Sequence, residues 1–444
     1  MTLTPAKTVD IDTARHPNSR LSGGRFVSPD SRVTPLQRSI STRTLLVIVV
    51  AAAIPIHRAS GISLLHVLLA LLSATSFSGL VRLNGQILWF AAISLAMSLA
   101  TVSFDLHTQS IGPLSSLALQ PISILLIVLA PSLFRLDAWA TRRYILAVVS
   151  GSALSYLVFP TVGSRENIIK FGFGPLLALL ALFWLGPKAR PRSIVAVCVA
   201  LATVFVASSF RSMAGICVVT AISVFYGARH VGSRRGHADQ RAKVRVIGAA
   251  LVAAVVGLWF LYPLLAGSGV LGDGQRERLI NQGGGSRSAL LNARPEFVIG
   301  LTVALESPFV GRGSQPGLGL RSETVGRALS NVEKYSPNVS AGLVLDRLNG
   351  RVNVHSLLLY GWICSGVVGL FYWLMLSRFA ISAAIGGSWE QSRDSATRFL
   401  GLWVGWDILF SPWSPHSATV LAVLVLLVTS KAEKSGPGKL EHVA

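Results

Sequence analysis

Two patterns in one polar stretch of this chain have the residue types and spacing that chemistry would need. In RPEFVIGLTVALESPFVGRG, Arg294 is followed fourteen residues later by Pro308, then by Gly311 and Gly313. In HSLLLYGWICSGVVG, His355 is followed by Gly366 and Gly369. A guanidinium presents a planar fork of donors that matches phosphate oxygens two at a time. An imidazole can orient or deprotonate a hydroxyl near neutral pH. The same stretch carries Arg276, Arg278, Arg287, Arg312, Arg321, Arg327, Lys334, Arg347 and Arg351. An Arg-rich surface between apolar segments suits a phosphate-bearing lipid.

These residues form a polar island, from about Gly267 to His355, in a chain that is otherwise a succession of apolar segments of bilayer-spanning length. The 444 residues are 51% hydrophobic and only 13% charged, and the mean hydropathy is +0.58. That is too apolar for a soluble protein of this length and indicates an all-α polytopic membrane protein. The net charge of +21 would suggest nucleic acid in a soluble chain. Here the cations sit mostly in short connections, as topology determinants do, so no nucleic-acid partner is expected. Cys198, Cys217 and Cys364 all lie in apolar segments without metal-like spacing, which reads as packing thiols. Neither a metal site nor a cofactor is expected.

About twelve spans are expected, at 42–57, 61–80, 86–104, 112–134, 143–162, 168–187, 192–210, 212–228, 246–267, 355–377, 395–411 and 416–430. All should be helices, because backbone polar groups in hydrocarbon need partners within their own segment. The chain thus divides into a disordered basic tail (1–43), a bundle of about nine helices (44–266), the island (267–354), about three more helices (355–430) and a C-terminal tail (431–444). A cleavable signal peptide is not expected, since the first apolar run begins only at Thr44. Placing both termini in the cytoplasm puts Arg82, Arg135, Arg142, Arg143, Lys188, Arg190, Arg192, the basic run 229–245, Arg378, Arg393 and Arg398 inside. The same parity puts the island outside, together with Arg58, Arg165, Lys170 and Arg211.

Within the island, Gly267–Gly285 reads as an irregular connection. Pro295 suits the first turn of a helix in which Phe297, Val298, Leu301, Ala304 and Leu305 recur at helical spacing, and Pro308 follows it. Such a helix is too short to span and should lie at the outer interface with its apolar face down. Gly311–Gly319 reads as a tight loop, and the polar segment from about Arg321 to Asn353 as a mobile lid of little pattern.

With its Arg-led helix, its Pro-x-x-Gly-x-Gly turn, and His355 ahead of Gly366 and Gly369, the chain resembles the O-antigen ligase and polymerase superfamily of bacterial envelope glycosyltransferases. The likeness is closest from Ser286 to Gly369 and also touches SSFRSMAG, which makes Arg211 the outer-face Arg between two spans. Ser356 stands where the family usually has Asn, Cys364 where an acidic residue often occurs, and the interfacial helix lacks a Trp common there.

The resemblance implies a GT-C-like membrane architecture in the cytoplasmic (inner) membrane. It also implies a glycan donor on undecaprenyl diphosphate and inverting attack by an acceptor saccharide hydroxyl, without metal or nucleotide sugar. His355 would serve the acceptor, Arg211 and Arg294 or Arg287 the diphosphate, and a chain-length regulator is a possible partner. Fixed Arg side chains can hold the leaving diphosphate where another enzyme uses a metal.

Other readings stay open. Arg287 and Arg294 compete for one role, and a His at a span terminus also suits the headgroup boundary. Glu306, Asp105, His107 and His416 match no motif and carry no expected function. The chain could join glycan units as a polymerase or transfer them as a ligase to a lipid or protein. It could instead export a lipid-linked saccharide without chemistry. A transferase using a polyprenyl-monophosphate sugar would want a carboxylate in the first outer loop, which is His57-Arg58-Ala59-Ser60.

Overall fold

The computed structural model describes residues 40–57, 61–75, 85–107, 116–229, 264–277, 295–335, 340–348, 354–385 and 395–432, apart from isolated positions and pairs inside these ranges. The N-terminal segment before residue 40, the basic run after Arg229, most of the expected span 246–267, Arg287, Arg294 and the tail after 432 lie outside the described residues.

The first helices are α1 (Thr42–Ala53), α2 (Leu64–Thr75), α3 (Gly85–His107), α4 (Ser116–Leu133) and α5 (Ala138–Val158). The expected span 168–187 is two helices, α6 (Ile168–Phe171) and α7 (Phe173–Leu185), meeting at Gly172. Then come α8 (Pro191–Ala207) and α9 (Arg211–Arg229). The island contributes α10 (Pro295–Glu306), α11 (Ser322–Tyr335) and α12 (Ala341–Leu348), and the chain closes with α13 (Leu357–Ile385), α14 (Ser395–Phe410) and α15 (Ser417–Ala432). A short antiparallel hairpin, β1 (Pro55–His57) with β2 (Ile62–Ser63), replaces helix at the end of the expected span 42–57 and the start of the expected span 61–80.

Local chemistry sets several of these boundaries. Ser41 and Asp137 are N-caps whose side chains accept from Thr44 N (3.1 Å) and Ala140 N (2.6 Å). Pro191 and Pro295 stand in the first turns of α8 and α10, where a missing N–H costs nothing. Ser356 accepts from Leu359 N at 3.3 Å and so caps α13.

Among the described residues, two helices are long and apolar enough to cross a membrane by length and composition, Gly85–Leu106 and Leu357–Ile385. Shorter apolar helices fill most of the other expected spans. The fold is therefore mainly helical, as expected, while a full set of twelve spans is not visible by this measure.

On α3 large apolar side chains are turned outward while polar ones are buried: the buried stripe mixes Ile87, Phe90 and Met97 with Ser94, Ser98, Thr101 and Asp105, whereas Leu88, Trp89, Leu95, Leu99 and Leu106 are exposed. The buried hydroxyls bond back to carbonyls one turn earlier: Ser94 to Phe90 O, Ser98 to Ser94 O and Thr101 to Met97 O. By contrast α15 is apolar and buried nearly all round from Ala418 to Leu427, which makes it a central helix.

The helix packing joins ends that the charge pattern assigns to one side. Arg143 donates to Ile40 O (3.3 Å) and Arg142 to Phe183 O (2.7 Å), and the buried Arg398 donates to Ser223 O (3.0 Å), all in the assigned inner half. Tyr156 bonds His416, Asn167 donates to Ser208 O and Ser356 to Ile408 O in the assigned outer half.

Two apolar cores result. The larger gathers the bundle helices. The smaller joins Val298, Ile299, Val303 and Ala304 of α10 to Ala328, Val332, Val344 and Leu348 of α11 and α12 and to Ile363 of α13. The segment read as a patternless lid thus contains two helices packed on α10. The apolar residues of α10 also divide: Val298 and Ala304 face this core, while Phe297, Leu301 and Leu305 are exposed on the opposite side.

Candidate functional site

The two sequence patterns meet in space. Helix α13 is broken at Gly366, whose φ of 60° and ψ of −144° belong to a region open essentially to glycine. The break frees backbone groups of α13, and the Pro308–Gly313 turn takes them up. Arg312 N donates to Ile363 O (2.8 Å), Gly313 N to Cys364 O (2.9 Å), and Val367 N to Phe309 O (3.2 Å). Irregular backbone is tolerated at membrane depth only when other protein groups satisfy it in this way. Trp362 Nε1 adds a bond to Pro308 O at 2.9 Å.

The glycines of the motif are what allow this approach. Gly311 and Gly313 have φ of 81° and 70°. A Cβ on Gly311 would run into the Cys364 carbonyl, and one on Gly366 into the Phe309 carbonyl. Gly313 lies against Asp105 and Phe104 of α3. Gly369 is pressed on the Gly361 carbonyl, and Gly361 in turn on the Trp373 ring. Asp105, expected to have no role, accepts from Ser314 N (2.8 Å) and Ser314 Oγ (3.0 Å). Glu306, likewise passed over, forms an ion pair with Arg312 at 3.3 Å. One turn of the loop therefore ties together both membrane-length helices, α3 and α13, which also meet directly through Thr101 and Ser365 at 2.7 Å. Pro308, Gly311, Gly313, Gly366 and Gly369 serve here as scaffold that joins the turn to α13 and α3.

His355 lies two residues before α13. Its Nδ1 is 3.1 Å from Glu296 Oε1, in the first turn of α10, and the two side chains are 28% and 11% exposed. The ring is thus held through one nitrogen while remaining partly open to the surface. An imidazole so held can take a proton from a hydroxyl at its other nitrogen. Glu296 was not singled out from the sequence. An acidic residue in a first turn is ordinarily explained by the helix dipole, so composition gave no further signal.

Arg211 opens α9 and is half-buried, next to the Phe210 that packs edge-on against Phe205. This places Arg211 at the junction of α8 and α9. Arg294 is joined covalently to Pro295, but it and Arg287 fall outside the described residues. Among the described residues, no group of three or more His, Cys, Asp and Glu side chains could hold a metal ion.

A separate pocket of mixed lining, also unforeseen, lies between α1, the hairpin, α2, α4, α5 and α15, where His66, Ser152, Tyr156, His416 and Thr419 stand among Ile62, Ile127 and Val148. Its residues bond one another, His66 Nδ1 accepting from Ser63 N at 2.9 Å and His416 Nδ1 pairing with Tyr156 OH at 2.9 Å.

Comparison of the chain with protein-family models, with curated proteins and with solved structures finds no match.

Proposed function

We propose that the chain is a multi-spanning glycosyltransferase of the cytoplasmic membrane. In this reading it moves glycan units from undecaprenyl diphosphate to an acceptor saccharide hydroxyl on the outer face, as in assembly of an O-antigen, capsule or exopolysaccharide. The observation that carries this reading is His355, held against the loop helix α10 at the start of a membrane-length helix. The resemblance of the Arg-led helix, the Pro-Gly turn and the His-Gly-Gly segment to the ligase and polymerase superfamily adds to it.

The membrane setting is supported by the exposed apolar face of α3, which carries Leu88, Trp89, Leu95, Leu99 and Leu106 while Ser94, Ser98, Thr101 and Asp105 are buried. About twelve spans would place both termini in the cytoplasm, and the alternation of helix direction this needs is supported by the contacts that join ends assigned to the same side. Reporter fusions after Lys243 should be cytoplasmic, and fusions at Glu323 should be external. A cytoplasmic signal at Glu323 would remove the site from the face where the donor waits, and the proposal would fall.

In the reaction the acceptor oxygen attacks the anomeric carbon while its proton passes to His355. The bond from that carbon to the diphosphate oxygen breaks, and undecaprenyl diphosphate leaves with the electron pair. Arg side chains stabilise the charge that gathers on the leaving group. Arg211→Lys keeps the charge but loses the planar fork, so turnover should fall roughly ten- to a hundredfold, the equivalent of about 1.5–3 kcal/mol for one charge-assisted hydrogen bond. Wild-type turnover in Arg211→Lys at equal protein level would place diphosphate recognition elsewhere.

The deciding experiment gives purified, lipid-reconstituted protein an undecaprenyl-diphosphate oligosaccharide and follows product length and released undecaprenyl diphosphate. Longer glycans with one lipid diphosphate released per bond are expected of a polymerase. Release only when a lipid or protein acceptor is added identifies a ligase. Passage of the intact lipid-linked saccharide across the vesicle, with no bond made, would replace the transferase reading with an exporter.

A further inference from the structure

We propose that Glu296 is the positioning residue for His355, selecting the ring tautomer that can accept the acceptor's proton. This inference rests on the transferase reading above. The distance of 3.1 Å joins His355 Nδ1 to Glu296 Oε1 across 59 residues of chain. An ionised carboxylate has lone pairs and no proton to give, so in a hydrogen bond between the two the imidazole nitrogen is the donor. A neutral ring that donates from Nδ1 carries its lone pair on Nε2. That lone pair is the one available to a substrate hydroxyl. The carboxylate also stabilises the imidazolium formed when the hydroxyl proton arrives, as a carboxylate does behind a catalytic His in other enzymes.

The surroundings make Glu296 suited to this work. The residue is buried, at 8% exposure, and its helix is fixed on two sides. On one side Val298, Ile299, Val303 and Ala304 pack in the small core, and beyond the C-terminal end the Pro308–Gly313 turn is bonded to the break in α13. His355 is fixed in turn by Ser356, which caps α13 and donates to Ile408 O at 3.2 Å. Both partners therefore stand on braced elements, which a hydrogen bond that must select one tautomer requires.

The test uses the reconstituted full-length protein and compares Glu296→Gln, Glu296→Asp, His355→Ala and the double variant Glu296→Gln/His355→Ala. Donor and acceptor are the undecaprenyl-diphosphate oligosaccharide used above. Glu296→Gln is expected to lower kcat by about one to two orders of magnitude with donor KM little changed. Glu296→Asp, which keeps the carboxylate on a shorter arm, should recover part of that loss. Because Glu296 acts through His355, the double variant should be no slower than His355→Ala alone. Full kcat in Glu296→Gln beside a slow His355→Ala would overturn the positioning role and leave the transferase reading standing. A double variant slower than His355→Ala by the whole Glu296→Gln factor would show an independent role and also overturn it. Full rate in His355→Ala would instead remove the transferase mechanism itself. Thermal unfolding of each purified variant separates these outcomes from misfolding, and a Glu296→Gln protein that unfolds early, with Glu296→Asp no faster, would assign Glu296 to structure alone.

Discussion

Replacing His355 with Ala is expected to slow glycan transfer by about two orders of magnitude or more, while donor binding and membrane insertion persist. The fold should survive because α13 does not begin on His355: Ser356 supplies the cap, and the ring itself is partly exposed. The Ala variant leaves the Glu296 carboxylate without its imidazole partner, and a buried charge that loses a partner destabilises. His355→Gln therefore belongs beside it. Its amide N–H can still meet Glu296 but cannot take a proton at neutral pH, so it should be as slow as His355→Ala and more stable. The measurement is single-turnover bond formation with saturating lipid-linked donor, together with binding of undecaprenyl diphosphate alone. In the proposed mechanism donor binding rests on Arg side chains, so it should be close to wild type in both variants. If His355→Ala elongates glycan at full rate, the headgroup-boundary reading of this residue holds instead. If it loses donor binding alone, His355 belongs to the phosphate side.

What the sequence revealed and what it concealed follow from the range of each interaction. Apolar runs identify helices because a span satisfies its own backbone, so most expected spans coincide with helices, from Thr42–Ala53 to Ser417–Ala432. Pro295 and Pro308 bracket α10 for equally local reasons. Gly366 was singled out by its offset from His355, but nothing local says that it breaks α13 or that a turn 54 residues earlier repairs the break, as the Trp362–Pro308 bond records. Glu296 and Asp105 were missed in the same way. Each looks like a solvated carboxylate in one dimension, and each meets its partner only through tertiary packing. Helices α11 and α12 were overlooked because few apolar positions, chiefly Ala328, Val332, Val344 and Leu348, suffice to seat them on α10.

Substituting Ala for Gly366 or Gly311 is expected to undo the joint between loop and bundle. Both glycines have positive φ, where a Cβ costs on the order of 1–2 kcal/mol, and each Cβ would also enter the partner segment's backbone, with overpacking typically costing about 1–3 kcal/mol more. Together these approach the smaller net stabilities of folded domains, about 5 kcal/mol. Gly366→Ala has one escape, which is to straighten α13. That would return the Ile363 and Cys364 carbonyls to their helix and strand the N–H groups of Arg312 and Gly313, so the turn would lose its seat either way. The readout is trypsin cleavage at Arg312, whose side chain is only 14% exposed in the intact joint, together with thermal unfolding in detergent. Both variants should be cut faster and unfold earlier than wild type. Gly326 is the internal control. It lies within α11 with nothing within 4 Å of a built Cβ, so Gly326→Ala should be neutral or add up to about 1 kcal/mol. Should Gly366→Ala match Gly326→Ala in both measurements, the turn and α13 are not joined through this break. His355 and Glu296 would then be brought together by the small core alone, through the packing of α10 on Ile363.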